Sequence, residues 1–319
     1  QPVYYVQRGE TGEAEVLLDP NALSPDGTTR VAGLTFDRHA RYIAYMVSHA
    51  GSDWQQIRVI DVETRQVLPD TVDWVKVSAI AWHGDGFFYS RYPEPGADEG
   101  AFSAKNDDHQ VFYHALGTPQ EHDRLVYHDP ENLQRFHVLG TTEDERFAVL
   151  SVSDRGKGKD GNALLVKDLR DPHGEFMPVW TAFDDQFTVL ENDGDALLIL
   201  TNHEAPNQRV VRVDPRNPAP AAWTTVIAER AEPLEAVGTA GGRLFAQYLH
   251  DVTSRVHVVG YDGVFERDVT LPGLGTIMGF GGERDATQLF YTFTSFTAPA
   301  TVYRYDLRTG TSTLYRGVE

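Results

Sequence analysis

The chain has 319 residues, with 28 Lys plus Arg against 47 Asp plus Glu, and a formal charge of −19. So acidic a protein lacks the basic footprint that a phosphate backbone or an anionic membrane surface requires, which excludes both as partners. Cysteine is absent, removing disulfides, thiolate zinc sites and a cysteine nucleophile.

Two short strands open the chain, PVYYVQ from Pro2 and AEVLL from Ala14. A unit of roughly 45–50 residues then recurs six times, the sequence signature of a repeat architecture. Its clearest marker is a hydrophobic second strand starting at Tyr42, Phe87, Phe147, Ala196, Leu244 and Leu289. A third strand follows each time, from QIRVIDV in the first unit to TVYRYDL in the last, and leads through an Asp- or Gly-rich turn into a weaker fourth. Runs of five to seven Val-, Tyr-, Phe- and Leu-rich residues between turn residues are strand grammar, and no long helix is expected.

Four strands per unit make a propeller blade. The expected blades run 31–74, 75–130, 134–183, 186–230, 232–272 and 275–317. The whole of 1–319 reads as one domain: a partial first blade over 1–30 and six complete blades over 31–319. The fold class is therefore all-β, a seven-bladed β-propeller of four-stranded antiparallel blades with the first blade truncated. The opening strands look like the outer half of that blade. With their inner strands missing, residues 1–19 are expected to be loosely held or to pair outside the regular pattern, with TSTLYRG near the C-terminus or with another molecule.

Strand order places the second-to-third-strand loops on one rim. They include HAGSDW (His49–Trp54), YPEPGADEG (Tyr92–Gly100), NHEAPNQ (Asn202–Gln208) and LHDVTSR (Leu249–Arg255), and rich loops of this kind usually carry function. Reactive chemistry is hard to find there. No G-x-S-x-G elbow, S-x-x-K, P-loop or H-E-x-x-H occurs. Gly156–Gly161 matches G-x-G-x-x-G but enters a strand, so no helix N-terminus exists to hold a pyrophosphate. The pairs His203-Glu204 and His250-Asp251 sit on the rim; strand neighbours point to opposite faces, so both read as loop hydrogen-bonding groups. The acidic cluster Asp98, Glu99, Asp107 and Asp108 lacks the alternating spacing of a calcium loop. Trp54, Trp74, Trp82, Trp180 and Trp223 read first as packing between sheets. No metal and no cofactor is expected.

The segments LLDPNALSPDGT, AGSDW, LPDTVDWVKVSAIAW, FFYSRYPEP, YHALGTP, YLHD and FTSFTAPATVY together resemble the propeller of the prolyl oligopeptidases, serine peptidases that cut short peptides after proline. The resemblance implies a propeller that covers an α/β-hydrolase domain and restricts access to its Ser-Asp-His triad. No segment of this chain resembles that domain, so the sequence reads as an excised propeller. It also implies site residues: Asp53 matches a carboxylate that pairs with an arginine of the catalytic domain, beside Trp54. Val77 and Phe136 match positions lining the pocket for the residue two before proline, although the family often has an aromatic where Val77 stands. Tyr92, Pro93, Phe102 and His109 fall on a gating loop at the domain interface, expected to be mobile.

The expected partners are thus a hydrolase domain of the same parent protein and short proline-containing peptides. No catalytic residue is expected in this chain, which should be inert alone. The alternative is a free-standing propeller that binds a protein or peptide on the same rim; a third reading is a propeller hydrolase using funnel carboxylates or a metal. No apolar run approaches the ~18–20 residues of a membrane span, and Gln1 opens no signal-like segment. A soluble cytoplasmic location is expected, with the periplasm equally compatible with the lack of cysteine.

Overall fold

A computed structural model describes residues 1–24, 26–95, 106–154 and 160–317. Its chain divides into two compact units, Gln1–Lys159 with Asp168–Pro172, and Asp160–Lys167 with His173–Glu319.

In the first unit β1 (Tyr4–Gln7) and β2 (Ala14–Leu18) form a two-stranded sheet, and α1 is the single turn Pro20–Leu23. Then come β3 (Arg30–Phe36), β4 (Tyr42–Ser48), β5 (Gln55–Asp61) and β6 (Val67–Val75). They are followed by β7 (Ala81–His83), β8 (Gly86–Arg91), β9 (Gln110–Ala115) and β10 (Arg124–Tyr127). These eight strands are two antiparallel four-stranded runs, β3 to β6 and β7 to β10, joined in one sheet by the pair Val75 and Arg91. The hairpin of β11 (Arg135–Thr141) and β12 (Phe147–Asp154) completes the unit.

The second unit opens with β13 (Ala163–Asp168) and β14 (Met177–Trp180). Three antiparallel four-stranded sheets follow. The first comprises β15 (Phe187–Asp193), β16 (Ala196–Thr201), β17 (Arg209–Val213) and β18 (Thr224–Ile227). The second has β19 (Leu234–Ala240), β20 (Arg243–His250), β21 (Thr253–Gly260) and β22 (Phe265–Asp268). The third has β23 (Thr276–Met278), β24 (Gln288–Ser295), β25 (Ala298–Asp306) and β26 (Thr311–Arg316).

Burial explains why the second strand carried the repeat. Ile43 to Val47 of β4 and Phe87 to Tyr89 of β8 are buried on both faces, whereas the outer strands alternate or lie exposed. Each such large side chain, taken fully out of water, contributes roughly 1.5–3 kcal/mol. Turn chemistry recurs as well. After the third strand, the carboxylates of Asp61, Asp168, Asp214 and Asp306 accept backbone N–H groups two or three residues ahead. All four carboxyls are held below the usual carboxylate range: Asp61 and Asp306 chiefly by these backbone bonds, Asp168 and Asp214 chiefly by the Arg170 and Arg216 side chains with the backbone bonds adding, which brings Asp168 to about 2. Gly241 and Gly242, both at positive φ, make the tight β19–β20 hairpin.

The expectation for residues 1–19 is corrected. Leu17 and Leu18 are buried and pack with Ile43, Tyr45, Val47 and Ile60, with Tyr4 and Val6 at the margin. The opening hairpin thus covers the apolar face of β4 and β5 instead of hanging loose. β26 pairs with β25, not with the N-terminal strands.

Candidate functional site

Three connections and the start of β11 meet in the first unit. The β4–β5 connection brings Asp53 and Trp54, the end of β6 brings Trp74, and Lys76 and Val77 follow it. Tyr92 leaves β8, His109 immediately precedes β9, and Phe136 and His137 lie on β11.

The aromatic groups form a chain of contacts. Trp54 meets Trp74 edge-on at 5.6 Å and Tyr92 at 6.1 Å between ring centroids. Tyr92 packs on His109 at 4.7 Å, and His109 meets Phe136 edge-on at 5.7 Å. Lys76 ties the polar side together: its Nζ lies 3.6 Å from an Asp53 carboxylate oxygen and 5.1 Å above the Trp54 ring, and donates to Asn106 Oδ1 at 3.4 Å. A hollow of about 200 Å³ borders Trp54 and Trp74.

Hydrogen bonding fixes the state of both buried imidazoles. His109 Nδ1 accepts the His137 backbone N–H at 2.8 Å, so its proton sits on Nε2, which donates to the Lys76 carbonyl at 2.9 Å. His137 returns the contact, donating Nδ1–H to the His109 carbonyl at 2.8 Å. Burial pushes the His137 pKa below the usual histidine value, because a charged ring there would lose its water. Both rings therefore act as neutral backbone partners, binding the start of β9 to β11. Tyr92 is anchored too, its N–H donating to the Trp74 carbonyl at 3.2 Å. Tyr92 and His109, the described ends of the expected gating loop, are buried and held by these bonds, while Pro93 is exposed. Phe102, Asp98 and Glu99 lie outside the described residues, as does most of the glycine run at 156–161.

Backbone strain collects at the same place. Trp74 and Val77 have φ of 61° and 51°, a left-handed conformation that a β-branched residue adopts only when its surroundings impose it. Val77 is 40 % exposed despite that strain. The cluster offers an aromatic floor, a half-exposed Val77 and one carboxylate, Asp53, that is 82 % exposed. Its imidazoles are committed to backbone groups.

Asp53, Trp54, Tyr92, His109 and Phe136 are thus linked through side-chain or ring contacts, and Val77 sits beside Lys76. Sequence reasoning missed Lys76 and His137 and gave Trp74 a packing role only. Positions flanking Val77 and Phe136 were the available signal. Elsewhere, His203 Nδ1 binds Asp185 at 2.7 Å. His250 Nε2 lies 3.3 Å from Asp251, a contact that strand alternation had argued against; Asp251 escapes the alternation because it sits in a turn at φ 45°. Among the described residues no group of three or more His, Asp or Glu is placed to hold a metal ion, and no described helix is long and apolar enough to cross a membrane.

Comparison with known proteins covers almost the entire chain. The family model described as "Prolyl oligopeptidase, N-terminal beta-propeller domain" matches residues 1–318. A prolyl endopeptidase of Elizabethkingia meningoseptica is 39 % identical over 99 % of this chain and 44 % of its own length. A prolyl oligopeptidase of Omphalotus olearius is 30 % identical over 95 % of the chain and 43 % of its own. Among solved structures, one from a study of two prolyl endopeptidases and their inter-domain dynamics covers all of this chain with TM-score 0.86 and 32 % identity, over 44 % of that chain. Prolyl oligopeptidase B of Galerina marginata, bound to a 25mer macrocyclization substrate, covers all of it with TM-score 0.90 and 25 % identity, over 48 % of that chain. The chain therefore spans less than half the length of these relatives.

Proposed function

This chain belongs to the prolyl oligopeptidase family as its N-terminal β-propeller domain, and from that premise we propose that it gates the access of short proline-containing peptides to a serine peptidase site on an α/β-hydrolase domain. Its sheets are propeller blades, seven in the proposed count with the β1–β2 sheet as the truncated first. The supporting observation is that Asp53, Trp54, Tyr92, His109 and Phe136, singled out by family resemblance, converge on one strained aromatic cluster around Lys76.

In this reading Asp53 offers its exposed carboxylate to an arginine of the hydrolase domain, and Val77 and Phe136 lend apolar surface to the substrate cleft. Tyr92 and His109 hold the two ends of the gating loop. The propeller performs no bond chemistry itself. Nucleophile, general base and oxyanion hole belong to the hydrolase domain.

Two assays test this. The chain alone should neither hydrolyse a proline-linked chromogenic peptide nor react with a fluorophosphonate; labelling in proportion to turnover would overturn the reading. Grafted in place of the propeller of the Elizabethkingia meningoseptica prolyl endopeptidase, it should preserve cleavage of short proline peptides while denying entry to a folded protein. A chimera that degrades folded protein would show that it does not gate.

A further inference from the structure

A second place in the molecule combines strain, exposed apolar groups and a cavity. Among the described residues at positive φ other than glycine, two are β-branched, Val77 and Val252. Val252 follows Asp251 in the two-residue β20–β21 hairpin turn, with φ of 64° and 45°. That turn favours Asn-Gly or Gly-Gly, and a valine there carries a conformational cost. The side chain so placed is 85 % exposed, which returns none of the cost through burial.

Asp251 and Thr253, on either side of Val252, line a cavity of about 670 Å³, within the range of ligand pockets. Its far wall is the 269–275 connection, fastened to β21 by Val269 N–H to the Val256 carbonyl and Ser254 N–H to the Gly275 carbonyl, both 2.9 Å. Gly275 lets the end of the connection run close against β24, since a Cβ there would come within 2.3 Å of the Thr294 carbonyl oxygen. Val256 and Leu271 supply an apolar floor, and Leu274 stands at the lip 82 % exposed.

The polar lining has a sign. Asp251 and Asp268 are 92 % and 69 % exposed at their side chains, against one lining arginine, Arg255, which lies 3.9 Å from Glu232. His250 is held between Glu232 and Asp251, and His257 between Asp268 and Arg230. Exposed carboxylates beside an apolar floor complement a group that is apolar and cationic at once.

We propose that the Asp251–Leu274 pocket is a second peptide subsite, taking a segment in which an apolar side chain adjoins a lysine, an arginine or a free amino terminus. The choice of a peptide as ligand rests on the function proposed above. The apolar side chain lies on Val256 and Leu271 beside the exposed Leu274, and the cation faces Asp251 and Asp268.

The test is fluorescence anisotropy with a labelled, C-terminally amidated peptide Gly-Gly-Lys-Leu-Gly-Gly-Gly and its twin with Glu for Lys. The lysine peptide should bind the intact chain, the Glu twin should bind roughly tenfold more weakly, and Asp251→Asn and Leu274→Ser should each weaken the lysine peptide roughly tenfold. Asparagine suits the positive φ of that turn, so Asp251→Asn should melt no lower than the parent; lost binding without lost stability separates a contact from a folding defect. Equal binding by parent and both variants, equal binding of the twins, or no binding overturns the subsite. Asp53→Ala keeps the two proposals apart: weakening by that variant alone discards this pocket and leaves the first site, whereas failure of the chimera with weakening by Asp251→Asn and Leu274→Ser discards gating and leaves a peptide pocket.

Discussion

The first unit buries imidazoles in two places and treats them oppositely. Beneath β6 and β9, His114 lies between two carboxylates, Asp123 at 2.7 Å from Nδ1 and Asp70 at 3.1 Å from Nε2, all three essentially inaccessible. Burial opposes charging of His114, but the hydrogen bonds and charges of Asp123 and Asp70 outweigh it, and its pKa is raised. Tyr89 donates to Asp123 at 2.6 Å, the Gly117 N–H donates to Asp70 at 2.6 Å, and burial with the Asp123 contact raises the Tyr89 pKa strongly. In the candidate site, His137 has no carboxylate at hydrogen-bond distance and its pKa falls. A buried histidine is thus a cation or a neutral spacer according to its partners. The first arrangement clamps β6 to β9, while the second ties the start of β9 to β11 through neutral rings.

Breaking the clamp should have the largest effect. Asp123→Ala strands the Tyr89 hydroxyl and leaves His114 with one carboxylate, and should cost about 3–5 kcal/mol in denaturant unfolding; a loss below about 1 kcal/mol would mean the clamp behaves as a surface ion pair. His109→Phe keeps the aromatic stack but orphans the His137 N–H and the Lys76 carbonyl, and should cost about 2 kcal/mol. An unchanged midpoint would show that those groups find other partners. Val77→Gly should move the other way, stabilising by about 1 kcal/mol through release of strain, read as a rise in melting temperature. Destabilisation would place the value of Val77 in packing.

The pH profile sharpens the contrast further. A raised folded pKa means that the contribution of His114 is complete below its unfolded value, near 6.5, and is lost as pH rises through the folded one. A lowered folded pKa means that the contribution of His137 is present above 6.5 and is lost as pH falls toward the folded value. Unfolding measured across pH should therefore show that His114→Gln removes an alkaline loss and His137→Gln an acid one. Identical profiles for the two variants would erase the distinction.

Much of the architecture could be read locally. The second-strand marker works because β4, β8, β16 and β20 are inner strands that bury three or more consecutive residues, so their hydrophobic runs are nearly unbroken, whereas burial along β12 and β24 alternates. The opening hairpin misled because its strands alternate like an orphaned outer pair, and nothing in PVYYVQ or AEVLL announces that Leu17 and Leu18 will meet Ile43 and Tyr45. For the site, resemblance pointed to Asp53, Trp54, Tyr92, His109 and Phe136. Lys76 stayed hidden because its role comes from contacts with Asp53, Trp54 and Asn106 and from a carbonyl that reaches His109.

The sequence by itself determined the strands, the turns and their period, because alternation of side chains and the turn preferences of Asp and Gly act over a few residues. Asp61 and Asp306 cap their turns within three positions, whatever the rest of the chain does. Only the tertiary structure decided which histidine is charged, which valine is strained and which loops share a site. Those properties come from partners such as Asp70 for His114, 44 residues apart, and Lys76 for His109, 33 apart. Burial and hydrogen bonding at such separations depend on strand register and sheet packing, and no local pattern encodes them.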